Sequence, residues 1–317
     1  MTSDGRLRSV FSNIEFQNPI VLAAGTAGYG EELAGVIRLD ALGGFVTKAV
    51  SLEPRGGAPA PRVAEFEGGM INAIGLANPG LAAVRETHLP WLASHFPRTR
   101  KIVNVVGSTV DEYLAVVTGL EESLESGLGA AADALELNVS CPNVRNGGME
   151  FGADPVALET LVRGARARTR RPLIVKLSPT LPNVGETARI AAGVGADAIS
   201  VVNTIPGLVV DVDRRRPALG FGTGGVSGRA ILPVGVLATW KVRRAVALPI
   251  FGVGGVAHGT DAIQYILAGA SLVGVGTAAM KDPGAPERII RELDTWCREH
   301  DVKRLLDLSG TLEWPGT

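Results

Sequence analysis

Cysteine is nearly missing from this sequence. Its 317 residues contain two, Cys141 and Cys297. Two thiols exclude a disulfide framework, a four-cysteine zinc site and an iron–sulfur cluster held by this chain alone. Histidine is also scarce. His88, His95, His258 and His300 all stand away from the ends of the apolar runs. No His or Asp/Glu cluster marks a metal site, and His258 is expected to cap a helix or bond locally. Charge of one sign is missing as well: 31 Lys and Arg against 32 Asp and Glu leave a net −1. There is no basic field to hold nucleic acid or an anionic membrane. No apolar stretch is long enough to span a bilayer, and "MTSDGRLRSVFSNIEFQ" has no run of signal-peptide length. The expectation is a soluble, cytoplasmic protein.

What the chain does have is 46% hydrophobic residues and 41 glycines. That suffices for one large core or two ordinary domains with closely packed backbone. Short apolar runs recur: "PIVLAAG" (19–25), "GFVTKAV" (44–50), "KIVNVVG" (101–107), "ALELNVS" (134–140), "PLIVKLS" (172–178), "AISVVNT" (198–204), "PIFGVGG" (249–255) and "LVGVGTA" (272–278). They are nearly continuous rather than alternating, which suits parallel strands covered on their outer face. Helix-length segments lie between them. "DEYLAVVTGLEESLES" offers Asp111 as a cap, "DPVALETLVRGAR" offers Asp154 followed by Pro155, and "RIIRELDTWCREH" comes near the end. Eight strands alternating with helices read as an α/β fold, a (β/α)8 barrel. A doubly wound sheet would need a glycine fingerprint after the first strand, and "AAGTAGYG" fits that pattern poorly. No Pro-, Ser- or charge-rich linker interrupts the chain, so residues 1–317 read as a single domain. Three connections exceed plain turns: 51–78, 141–153 and 205–228, the last reading as a hairpin insertion. Long loops in a compact fold are usually functional.

In such barrels the active site lies at the C-terminal strand ends. Here those ends carry Lys48, Asn104, Asn138, Lys176, and Asn203 with Thr204. A strand buried on both faces does not finish with such groups unless they find a partner. One lysine alone would read equally well as a snorkelling surface residue. The last two strands run into glycine turns, where Gly254, Gly255, Gly276 and Thr277 offer N–H groups to a phosphate. Tight turns without a ligand are the plainer reading of each glycine pair alone. Cys297 falls at helical spacing with Ile289, Ile290, Leu293 and Trp296 and is expected in the core. Cys141, in "NVSCPNVRNGG", sits beyond Asn138 at the expected mouth, either a spare thiol or a catalytic group.

These residues resemble a family. "NVSCPNVRNGG", "TKAVSLEPRGGAPAPR", "NAIGLANPG", "VKLSP", "VNTIPG", "GGVSG", "GVGG" and "VGTA" look like the class 1 dihydroorotate dehydrogenases, in unbroken order from about Asn18 to Ala279. The glycine pair after "CPNVRN" is similar to class 1B, whose members work with NAD through a partner subunit. The resemblance implies an FMN enzyme oxidising dihydroorotate to orotate in pyrimidine synthesis. It makes Cys141 the base for the C5 proton while the C6 hydride passes to FMN. It places Lys48, Asn72, Asn138, Asn203 and Thr204 on the substrate, with Asn72, Ala73, Ile74, Gly75 and Leu76 along it. It places Ala24, Lys48, Ala49, Asn104, Asn138, Lys176, Val202 and Gly228 on the flavin, and Gly254, Gly255, Gly276 and Thr277 on its phosphate. Ala24 departs from the serine often found there, so a side-chain hydrogen bond is lost and backbone contact remains.

Two other readings stay open. One is a related FMN barrel acting on another dihydropyrimidine, including a dihydrouridine-synthase-like enzyme, although that family should carry a basic RNA-binding domain. A non-catalytic barrel subunit would purify without flavin. Neither a second nucleotide fold nor a membrane extension is expected from the sequence, and two cysteines cannot hold a cluster. The resemblance therefore implies a separate FAD and iron–sulfur electron-transfer subunit, around a homodimeric core.

Overall fold

A computed structural model of the chain describes residues 5–140, 142–143 and 149–315. Cys141 and most of its loop lie outside the described residues. Eight parallel strands close into a barrel in chain order: β1 Ile20–Leu22, β2 Gly44–Val46, β3 Arg100–Val105, β4 Ala134–Asn138, β5 Leu173–Leu177, β6 Ala198–Val201, β7 Ile250–Val253 and β8 Leu272–Val275. Each falls within or beside one of the eight apolar runs. The strands are shorter than the runs, so Lys48 and Asn203 lie just past β2 and β6. Asn104, Asn138 and Lys176 lie inside their strands.

Alternation decides what each strand shows to the barrel interior. Val21, Val46, Ile102, Ala134, Ile174, Ala198, Phe251 and Leu272 form one buried interior cluster. Their neighbours Ile20, Phe45, Val103, Leu135, Val175 and Ile199 belong instead to the larger layer between barrel and helices. The near-continuous apolar runs follow from this: both faces of every strand are buried. An N-terminal hairpin, Ser9–Phe11 paired with Ile14–Phe16, closes the lower end. Phe11 and Phe16 are fully buried in the interior cluster and meet edge to face, with centroids 6.3 Å apart.

The outer ring includes α1 Val110–Ser123, α2 Pro155–Arg166, α3 Val184–Gly193, α4 Leu232–Ala245, α5 Gly259–Leu267 and α6 Ala285–Glu299. Asp154 caps α2 as expected, accepting from the N–H groups of Val156 and Ala157. The cap of α1 is a correction. Thr109, not Asp111, accepts from Glu112 N, and the Glu112 carboxylate returns to Ser108 N. That pairing resembles a capping box read two residues earlier, and it leaves Asp111 in the first turn, favourable to the helix dipole. Cys297 is buried on α6 beside Ile289 and Leu293, and burial pushes its thiol up. No helix among the described residues is long and apolar enough to cross a membrane.

The long connections between strands build a second layer above the barrel. Residues Val63–Phe66 and Gly69–Asn72 form a hairpin, and Gly224–Ser227 joins its edge, followed by Ile205–Gly207. The 205–228 segment is the hairpin insertion expected, with its outer part paired at Val210–Asp211 and Arg216–Pro217. Its inner part shares a sheet with the 51–78 connection.

Replacing Phe11 with Ala should cost about 3–5 kcal/mol of stability, as for other buried aromatic truncations. Equilibrium urea unfolding checks this; a loss under 1 kcal/mol would mean that the hairpin does not seal the barrel.

Candidate active site

Above the apolar plug the barrel interior turns polar. The inward positions two residues further along β3, β4, β5 and β6 are Asn104, Glu136, Lys176 and Ser200, all buried. Asn104 Nδ2 donates to Glu136 Oε1 at 2.7 Å, and Lys176 Nζ stands 4.0 Å from the same oxygen. Glu136 Oε2 and Ser200 Oγ have no hydrogen-bond partner among the described residues. Buried polar atoms are normally satisfied, so these orphans mark a layer that protein groups alone leave incomplete.

A second cluster forms at the ends of β4 and β6. Asn203 Nδ2 donates to Asn138 Oδ1 at 3.3 Å, and Asn203 Oδ1 accepts from Thr204 N at 2.8 Å. A Cβ at Gly225 would strike the Thr204 hydroxyl, and Asn72 Nδ2 donates to Gly225 O at 3.2 Å. Asn72, Asn138, Asn203 and Thr204, spread over more than a hundred residues of chain, are therefore linked through direct contacts. Val202 follows β6 through a cis Val201–Val202 peptide, and its N–H donates to Val253 O.

The segment from Asn72 to Leu76 is held by backbone and by one hub. Ala73 N donates to Arg62 O, and Ile74 O accepts from Ala58 N. Gly75 has φ 67° and passes so close that a Cβ would lie 2.5 Å from Ala58 N. Leu76 packs on Ala49 and Val106. Asn78 is the hub: its Nδ2 donates to Leu76 O and Ser51 Oγ, and its Oδ1 accepts from Gly80 N and Ser51 N. The segment is thereby laid across the ends of β2 and β3.

At β7 and β8 the N–H groups of Gly254, Gly255, Gly276 and Thr277 have no backbone acceptor among the described residues. A Cβ at Gly276 would meet nothing nearer than 3.6 Å. Thr277 Oγ1 donates to Ser227 Oγ at 2.8 Å, which brings the β8 turn beside Gly228. Open backbone donors around unfilled space fit an anion. His258 bonds locally, as expected: it caps α5, and the Asp261 carboxylate accepts from the N–H groups of Ala257 and His258. Ala24 packs at the upper rim of the interior cluster.

Two expected site residues are not joined to these clusters. The half-buried Lys48 makes no side-chain hydrogen bond or ion pair with any described residue. Cys141 falls outside the described residues, so no geometry bears on it. Further along the chain, Glu150 Oε1 accepts from Ser178 Oγ at 3.3 Å. Burial pushes the Glu150 carboxyl up, and the Ser178 hydrogen bond works against that.

Sequence reasoning missed Glu136, although a lone carboxylate two residues before Asn138 in an apolar run was the signal. It also missed the tyrosines. The chain has three, and each donates its hydroxyl to the backbone of an expected site residue. Tyr29 donates to Ala49 O at 3.0 Å, Tyr113 to Asn138 O, and Tyr265 to Gly254 O at 2.7 Å. Burial pushes the hydroxyls of Tyr29 and Tyr265 up, so both remain donors. Because a peptide is planar and trans, holding Gly254 O turns the Gly255 N–H to the opposite side.

Residues 6–296 match the protein family described as dihydroorotate dehydrogenase. The chain is 44% identical over 302 residues to the "Dihydroorotate dehydrogenase B (NAD(+)), catalytic subunit" of Geobacter sp. (strain M21), covering 95% of this chain and 96% of that protein. The same description belongs to a protein of Pelobacter propionicus, 45% identical over 302 residues, covering 95% of this chain and 97% of that one. It belongs also to one of Desulforudis audaxviator, 43% identical over 305 residues, with 96% and 97% covered.

The Asn78 hub yields a direct test. Asn78→Ala strands buried partners and should cost about 1–3 kcal/mol, with faster amide hydrogen exchange across residues 73–77. Unchanged exchange there would mean that the backbone contacts alone hold the segment.

Proposed function

The chain belongs to the dihydroorotate dehydrogenase family, and from that membership we infer that it is the enzyme oxidising dihydroorotate to orotate in pyrimidine biosynthesis, with FMN bound at the barrel mouth. The observation carrying this reading is the identity with catalytic subunits over nearly the whole chain, joined to a mouth whose donors match both ligands. The open N–H groups at Gly254, Gly255, Gly276 and Thr277 suit the phosphate of FMN. Ala24, Lys48, Ala49, Asn104, Asn138, Lys176, Val202 and Gly228 would surround its ring. When bound, FMN supplies the two-electron acceptor for the hydride leaving C6.

The chain's own residues supply the rest. Lys48, with no partner among the described residues, is available to the substrate carboxylate. Asn72, Asn138, Asn203 and Thr204 present donors and acceptors to the planar amide edges of a pyrimidine, preorganised by their mutual contacts. The Ala73 to Leu76 segment covers the substrate and excludes water. Cys141 takes the proton from C5; a thiol needs only modest activation near neutral pH. The electrons leave through a separate FAD and iron–sulfur subunit linked to NAD, because two cysteines cannot hold a cluster here.

Extraction of the cofactor from purified protein should release FMN, one per chain; FAD, or no flavin after reconstitution, would sink this reading. In the same preparation Cys141→Ala should keep FMN and reduce it with dihydroorotate at least ~100-fold more slowly, the usual contribution of a positioned base. A wild-type rate in that variant would remove Cys141 from the mechanism.

Stopped-flow reoxidation of the dihydroorotate-reduced chain should be fast with artificial dyes and slow with NAD and with fumarate. Rapid turnover with NAD alone would refute the partner subunit, and rapid turnover with fumarate would move the chain to class 1A behaviour.

A further inference from the structure

Glu136 is a fully buried carboxylate that no step above uses. It lies on the inward face of β4, since Ala134 belongs to the interior cluster while Leu135 and Leu137 belong to the outer layer. Its Oε1 receives Asn104 Nδ2 at 2.7 Å and stands 4.0 Å from Lys176 Nζ, while Oε2 has no partner among the described residues. The register confirms the neighbourhood: Glu136 pairs with Asn104 on one side and with Ile174, two residues before Lys176, on the other.

We propose that Glu136 is a positioning residue of the flavin site, acting through Lys176 and Asn104 rather than by touching a ligand. The inference rests on the FMN reading above. Two physical arguments carry it. First, an ionised carboxylate only accepts hydrogen bonds. The Asn104 amide must therefore turn its NH2 toward Glu136 and its Oδ1 away, so one side-chain orientation is presented to the ligand. This changes what Asn104 offers: an acceptor as well as its remaining N–H. Second, Lys176 is buried and makes no hydrogen bond with any described residue. The Glu136 carboxylate is the acidic group that stands beside it, 4.0 Å from its Nζ. The pair is not in hydrogen-bond contact, so the Lys176 N–H donors stay free for a ligand. Negative charge arriving on a bound ring then meets a cation first and a compensating anion beyond it. Glu136 thereby lowers the ring's readiness to accept charge while holding the group that stabilises it.

The test uses the FMN-loaded protein and two equilibrium readouts: the midpoint potential of the flavin and its dissociation constant for sulfite, which adds to oxidised flavin as an anion. Glu136→Gln keeps the shape and an oxygen for Asn104 and removes the charge. It should retain FMN, bind sulfite on the order of tenfold more tightly, and shift the potential positive. Lys176→Gln should weaken sulfite binding, and adding Glu136→Gln in that background should tighten it again; this neutral pair is also the safer one to fold. Unchanged sulfite affinity and potential on removing the Glu136 charge, in whichever background folds, overturns the proposal. Failure of Glu136→Gln to fold in both backgrounds makes Glu136 a folding residue and overturns it equally. A wild-type chain that binds no FMN fails the functional reading instead, and this is seen before any variant is made.

Discussion

Two-residue alternation along eight parallel strands is the constraint on which everything else in this structure rests. Each strand must bury one set of side chains against the helices and another inside the barrel. The outer set is apolar except for the buried Lys101, whose Nζ donates to Ala130 O. The inner set changes character along the axis, from Ile102, Ala134, Ile174 and Ala198 below to Asn104, Glu136, Lys176 and Ser200 above. The hairpin carrying Phe11 and Phe16 seals the apolar end. Polar side chains are thus gathered at one end, surrounded by a low-dielectric wall that strengthens their interactions.

The second level of control lies in the backbone. Site chemistry at a barrel mouth depends on where carbonyls and N–H groups point as much as on side chains. The three tyrosines each fix one carbonyl, at Ala49, Asn138 and Gly254. A tyrosine brings a large apolar body for the helix layer and one polar tip that must find an acceptor when buried. Tyr113 and Tyr265 stand on α1 and α5, so the packing of those helices is transmitted directly to the ends of β4 and β7. In a chain so poor in aromatics, this use of all three accounts for positions that apolar packing alone would fill with leucine.

The upper layer supplies the cover. The Asn72 to Leu76 segment reaches the strand ends because the 51–78 and 205–228 connections share one antiparallel sheet. Neither connection has a large core of its own. Pairing them satisfies the backbone of both and joins Asn72 to Gly225, beside Thr204.

The amino-acid sequence by itself determined the barrel, because eight apolar runs separated by helix-length segments allow few other closures. It determined the α2 start at Asp154, the buried place of Cys297, and the polar character of the strand ends, all of which are local patterns. Family membership was legible too, since the motifs are contiguous. Tertiary structure decided what depends on residues far apart. The start of α1 passed to Thr109 because Glu112 could return to Ser108. The sheet of Gly69–Asn72 with Gly224–Ser227 joins segments whose pairing leaves no periodic signal. Glu136 became part of the site only when β3, β4 and β5 came side by side: a carboxylate in an apolar run has no direction until its neighbours give it Asn104 and Lys176 as partners.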